Sequence, residues 1–132
     1  AVELAIRQLH DDYDLQAVWA DPMFASGLEQ RLERDGIPFG TLKQSIQYLS
    51  PGTVKTEELI AEGRLAHDGD PVLRSACQHA KAYRDCNNNA RLDKRSSKSL
   101  IDPAMALVMA VSAWHTVSPE SVYEANDLKT FG

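Results

Sequence analysis

From Leu100 to Trp114 nearly every residue is apolar, and the run opens on Asp102-Pro103. A helix that is apolar on most of its sides has to be buried. The stretch therefore predicts a core helix around which the rest of the chain packs. It is too short for a bilayer span and is closely preceded by Lys94, Arg95 and Lys98, which argues against a membrane helix. Asp is a favoured N-cap and Pro a favoured first helical residue. Asp102 is accordingly expected to cap this helix, with its carboxylate where the core meets solvent. The same dipeptide recurs at Asp21-Pro22 and Asp70-Pro71, each before a helical pattern. Capping alone accounts for all three, so the dipeptide by itself assigns chemistry to none of them.

A chain of 132 residues is one domain's worth and can bury a real core. With 43% apolar and 25% charged residues, its composition is that of an ordinary soluble globular protein. The net charge of -5 argues against a protein that coats nucleic acid by charge alone. It leaves room for an enzyme that grips a phosphodiester locally through metal ions. Cys77 and Cys86 form no metal-ligand spacing and read as free thiols in a reducing compartment. No stretch has the pattern of a targeting sequence. The chain opens in mid-element, without an initiator Met or a cap, as a piece of a longer polypeptide would.

Val2, Ala5, Ile6, Leu9 and Tyr13 recur at helical spacing and predict a helix over 2–12. The run 15–20 reads as a buried strand ending at Asp21-Pro22. Phe24, Leu28 and Leu32 then predict a helix closed by Asp35-Gly36, and 37–42 reads as the next strand. Strand, helix and strand at this spacing form a βαβ unit with a parallel pair. Functional groups in such sheets gather beyond the carboxyl ends of the strands, which is where Asp21 lies. Ser50-Pro51 is expected to open another helix carrying Val54, Leu59 and Ile60 and ending at Gly63. A short extended piece over 65–69 leads to Asp70-Pro71, which caps a helix with Val72, Leu73, Ala76, Cys77 and Ala80 on one face. Residues 81–85 and 91–93 read as strands joined through the Asn87-Asn88-Asn89 turn. His67 and His79 are lone histidines without a second ligand at metal spacing, and read as turn or surface residues. Lys94-Arg95-Ser96-Ser97-Lys98 is a basic, hydroxyl-rich loop, read either as plain solvated loop or as a grip on phosphates beside Asp102.

The stretch Glu62-Gly63-Arg64-Leu65-Ala66-His67-Asp68-Gly69-Asp70-Pro71-Val72-Leu73 resembles a segment of the large terminase subunits of tailed bacteriophages. So does Asp93 to Ala110, with its hydrophobic-Asp step into an Ala- and Leu-rich helix. Ser121-Val122-Tyr123-Glu124 is similar to that family's C-terminal end, within a tail over 118–132. The resemblance runs in order over most of the chain.

That resemblance implies a single, partial nuclease domain over 1–132: an α/β, ribonuclease-H-like core with a mixed sheet flanked by helices, lacking its N-terminal part. No Gly-x-x-x-x-Gly-Lys-Ser/Thr loop is present, so the family's packaging ATPase is not in this chain. Acids from separate elements hold two divalent metals in such nucleases, and the resemblance puts Asp21 on the second acidic position and Asp102 on the last. The first acid belongs to an early strand and has no match here. Asp85 and Asp93 are weaker candidates for an accessory ligand. Mg²⁺ or Mn²⁺ suits carboxylate oxygens, and two such ions roughly 3.5–4 Å apart clamp the attacking water and the leaving oxygen of an in-line displacement. Lys94, Arg95 and Lys98 are expected to hold the DNA backbone. The implied function is cleavage of concatemeric double-stranded DNA during genome packaging, in the cytoplasm of a bacterial host, alongside a terminase small subunit and a portal protein and with no membrane. The alternative is a non-catalytic DNA-docking or assembly module of the same machine.

Overall fold

The computed structural model describes residues 2–25, 27–94 and 100–116. Its helices lie near the predicted apolar spacings, except that the helix expected through Phe24, Leu28 and Leu32 is split at Gly27 into a 3-10 turn and a separate helix. In chain order the elements are α1 (Val2–Asp12), β1 (Val18–Ala20), a 3-10 turn (Pro22–Phe24), α2 (Leu28–Arg34) and β2 (Phe39–Thr41). They continue with α3 (Ile46–Ala61), α4 (Pro71–His79), β3 (Ala82–Arg84), β4 (Ala90–Leu92) and α5 (Asp102–Thr116). The contacts divide the chain into two compact units, one up to Gln44 and the other from Ser45.

The first unit is the expected βαβ arrangement. β1 and β2 run parallel, with Val18 opposite Phe39, Trp19 opposite Gly40 and Ala20 opposite Thr41. Gly40 has no side chain because the Trp19 ring occupies that space: a Cβ there would lie 2.9 Å from the indole. α2 ends as Asp35-Gly36 predicts. Gly36 takes φ +78, its N–H donates to the Glu33 carbonyl, and the Ile37 N–H donates to the Leu32 carbonyl. This double bond pattern satisfies carbonyls that the helix end would otherwise leave open. Leu32 and Ile37, on either side of that stop, are the buried heart of the unit. α1 buries none of its residues. Ion pairs tie it to α2 instead: Glu3 accepts from Arg7 at 3.0 Å and from Arg31 at 2.9 Å, and Arg7 also pairs with Asp35.

In the second unit α3 packs along α5, α4 packs on α5, and β4 packs on α3. Asp70 caps α4 as expected, its Oδ1 accepting from the Val72 N–H at 2.7 Å. β3 and β4 form an antiparallel hairpin through Asn88, which adopts the left-handed φ of 63 that an Asn turn tolerates. The strands therefore lie in two separate two-stranded sheets, one parallel and one antiparallel. The stretch 65–69 forms no strand.

Three local expectations are corrected. α3 starts at Ile46 with Ser45 at its N-cap, so Pro51 lies inside the helix rather than at its first position. Extending the helix back by a turn buries Leu49, which is only 2% exposed, and this packing overrides the local start signal. The buried stripe of α3 is Leu49, Ser50, Gly52, Thr53, Thr56 and Leu59, while Ile60 is exposed. Finally, α5 is not buried on most sides. Ala104, Val108, Val111 and Ser112 face inward, but Asp102, Ala106, Ala110 and Trp114, spaced four apart, form an exposed line.

Candidate functional site

Asp21 follows β1 directly. The chain turns there because Pro22 fixes its φ and starts the 3-10 turn, while Asp21 stays extended at φ -60 and ψ 131. Its Oδ1 accepts the Met23 N–H at 3.0 Å. The side chain thus does what a cap residue does, at the carboxyl end of a strand in a parallel pair. The Leu42 N–H donates to the Ala20 carbonyl at 2.9 Å, which anchors the backbone just before Asp21 to the far end of β2. An ionised carboxylate has about four lone-pair sites, so one capping bond leaves acceptor capacity for a further partner.

Asp102 sits in the first turn of α5, where the positive end of the helix favours a carboxylate. The Met105 N–H donates to the Ile101 carbonyl, so Ile101 rather than Asp102 occupies the cap position, one residue earlier than expected. Asp102 is thereby free of capping duty in that sense, and its side chain is 70% exposed. Its Oδ1 accepts from Lys94 Nζ at 3.1 Å. Lys94 is itself 63% exposed, so water and salt screen the pair and it contributes little to stability. Of the three cations expected to grip DNA, Lys94 is thus placed against a candidate acid. Arg95 and Lys98 lie outside the described residues, as does the tail over 118–132.

Asp21 belongs to the first unit, and Asp102 with Lys94 to the second. Among the described residues, no group of three or more His, Cys, Asp or Glu side chains is gathered as a metal cluster. Asp85 is committed to its own turn: it accepts the Asn87 N–H at 2.9 Å, the Asn89 N–H at 2.9 Å and the Asn89 side-chain amide at 3.2 Å. The Asn89 backbone bond, chief among these, holds the Asp85 carboxyl below the ordinary aspartate range. Asp93 uses its backbone N–H to bond the Lys81 carbonyl at 2.7 Å, extending the hairpin by one residue pair.

His67 accepts the Gly69 N–H on Nδ1 at 3.0 Å, which shapes the turn before α4. His79 bonds the Ser75 carbonyl through Nδ1 at 2.7 Å. Both are turn or helix-surface residues, as read from the sequence. A half-open cavity of about 270 Å³, with Leu65, His67, Arg74 and Cys77 among its walls, had no signal in the sequence because its lining comes from four separate segments. Burial pushes the Cys77 thiol up, in keeping with a packing role.

Residues 2–118 match the protein family described as terminase large subunit, endonuclease domain. The chain belongs to that family. The resemblance read from residues 62–73 and 93–110 is thereby borne out. The terminase large subunit of Enterobacteria phage HK97 is 26% identical over 110 residues, which is 82% of this chain and 22% of that protein. The crystal structure of the HK97 bacteriophage large terminase superposes with a TM-score of 0.77 at 26% identity, covering 85% of this chain and 24% of that one. The large terminase nuclease from the thermophilic phage G20c gives a TM-score of 0.65 at 21% identity, over 83% of this chain and 59% of that one. This family member therefore spans only a part of each relative, and it shares their fold over that part. Among its described residues, no helix is long and apolar enough to cross a membrane.

Proposed function

We propose that the chain is part of a metal-dependent endonuclease domain with a ribonuclease-H-like core, one that cuts concatemeric double-stranded DNA during phage genome packaging. Its two units together form one partial nuclease domain, a reading supported by a family match whose bounds, residues 2–118, take in parts of both. The observation that carries the proposal is the placement of Asp21, an accessible acid at the carboxyl end of a strand in a parallel βαβ unit. Ligands of such sheets collect there.

The donor chemistry fits a hard divalent cation. Asp21 and Asp102 offer carboxylate oxygens that keep unused lone pairs, and Mg²⁺ and Mn²⁺ take oxygen ligands. In this reading Asp21 and Asp102 each hold part of a two-metal site, which when occupied supplies Lewis-acid activation of water and charge stabilisation at the leaving oxygen. Lys94 orients the Asp102 carboxylate and, with Arg95 and Lys98, holds the DNA backbone. The terminase small subunit and the portal protein are the assembly partners, and the bacterial host cytoplasm is the place of action.

The test is cleavage of supercoiled plasmid with Mn²⁺ by a terminase protein containing this chain, with Asp21→Asn and Asp102→Asn variants. Each variant should lose cleavage while keeping its fold by circular dichroism. Cleavage at the parental rate by Asp102→Asn would overturn the assignment. The second reading is a non-catalytic DNA-docking or assembly module of the same machine. Retained DNA binding without cleavage by the parental protein would select that reading.

A further inference from the structure

Basic charge in this chain is concentrated in one stretch of its sequence. Residues 81–98 carry six of its 14 lysines and arginines but only two of its 19 acids, in a chain whose net charge is -5. The hairpin of β3 and β4 makes up most of that segment. Strand alternation divides its side chains between two faces. Ala90 is wholly buried and Leu92 packs against the core made by Ala76, Ile101 and Ala104. Arg84, opposite Ala90 in the register, reaches Glu57 on α3 at 3.0 Å. The outer face therefore presents Tyr83 and Arg91, which are directly opposite each other, with Lys81 and Asp93 as the next pair along the same face. The Arg91 guanidinium lies 5.7 Å from the centroid of the Tyr83 ring, within the range of a cation–π contact. Tyr83 remains 48% exposed and Arg91 is exposed, so the pair fills no core. Asp85, the acid at the tip, has its carboxylate turned into the Asn87 and Asn89 amides. Two residues beyond β4 stands Lys94, bonded to Asp102.

We propose that this outer face of the hairpin is a docking surface for the sugar–phosphate backbone of duplex DNA, with Tyr83 and Arg91 as its contacts, leading the strand toward Asp102. The proposal rests on the reading of the chain as part of a DNA nuclease and extends the expected grip beyond Lys94, Arg95 and Lys98. The chemistry fits the ligand. Arg and Tyr side chains are regular donors to phosphate oxygens, and such contacts fix register without reading sequence. The Tyr83 ring restrains Arg91 on one side, so less freedom is lost when the planar guanidinium meets a phosphate. The pair sits on a two-stranded frame anchored to α3 by Arg84 and by the Ala90 N–H, which donates to Ser50 Oγ at 2.9 Å.

The experiment is a fluorescence-anisotropy titration of the chain onto a labelled random-sequence duplex across a salt series. Arg91→Gln should weaken binding roughly 10- to 100-fold at low salt, as loss of one charge-assisted hydrogen bond does. It should also flatten the slope of log K against log salt by about 0.9, the value for one phosphate released. Tyr83→Leu, which keeps an apolar side chain on the strand, should weaken binding in the same direction. Arg64→Gln is the control, since Arg64 is an exposed arginine outside the hairpin, paired with Glu62 at 3.1 Å. It should bind as the parent does. Equal losses in Arg64→Gln and Arg91→Gln would mean general charge and overturn the proposal. So would parental affinity in both hairpin variants, or no duplex binding by the parent at low salt. The nuclease reading is judged apart from this, by plasmid cleavage with Asp102→Asn, so either can fail while the other stands.

Discussion

Among the described glycines of the second unit, Gly52, at the crossing of α3 and α5, has the closest approach, and Gly52→Ala tests it. A Cβ built at Gly52 would lie 1.7 Å from Ser112 Oγ, 2.8 Å from Ser112 Cβ and 3.0 Å from the Val108 carbonyl oxygen. Turning the Ser112 side chain relieves the first of these contacts. The other two are fixed to the backbone of α5, so the helices have to part. Adding a methyl to a well-packed contact costs about 1–3 kcal/mol, and occasionally more. Alanine recovers about 1 kcal/mol over glycine from helix propensity alone. Because the closest approach is far inside van der Waals contact, the packing cost falls at the upper end, and the net loss is about 2 kcal/mol. Urea denaturation of the chain followed by circular dichroism measures it: the midpoint should fall while the m-value holds. Ser112→Gly removes two of the three clashes, so the double variant should be more stable than the sum of the single effects predicts. A Gly52→Ala chain as stable as the parent, or strict additivity in the double variant, would refute the reasoning.

Two further outcomes follow from the same unit. Ser50→Ala strips the fully buried Ala90 N–H of its acceptor and should cost about 1–3 kcal/mol, with faster hydrogen exchange at Ala90 as the second readout; unchanged exchange there would show that another acceptor takes over. Asp85 has a depressed pKa in the fold, so its carboxylate stabilises the hairpin above the ordinary aspartate range and loses that effect as pH falls below about 4. The Tm difference between parent and Asp85→Asn should accordingly be largest near neutrality and shrink in acid, whereas a constant difference would remove the charge from the account.

Much of the local structure was legible beforehand because its signals are local. The spacing of Val2, Ile6 and Leu9 marked α1, Asp70-Pro71 marked the start of α4, and Asp35-Gly36 marked the end of α2. The βαβ pattern gave the parallel pair of β1 and β2. Burial in the second unit does not follow hydrophobicity. The inward stripe of α3 contains Ser50, Gly52, Thr53 and Thr56, which no apolar pattern picks out. Thr53 and Thr56 are tolerated there because their hydroxyls bond the Leu49 and Gly52 carbonyls of their own helix, at 2.8 and 2.7 Å. Conversely, α5 is apolar on most of its sides, yet Ala106 and Ala110 stay exposed.

The candidate site divides in the same way. Asp21 and Asp102 could be named from their neighbours in the chain, since a strand end, a proline and a helix start are all written within a few residues. That Asp102 is spared capping, that Lys94 closes back onto it, and that Tyr83 and Arg91 share one outer face depend on contacts across turns and between elements. By itself, then, the sequence determined most of the elements, the Asp21 and Asp70 caps and the family, because these follow from short-range backbone preferences and from motifs, whereas the starts of α3 and α5 were set by packing. Only the tertiary structure decided which faces are buried and which charged groups meet, because close packing between α3, α5 and the hairpin is set by the fit of small residues rather than by hydrophobicity.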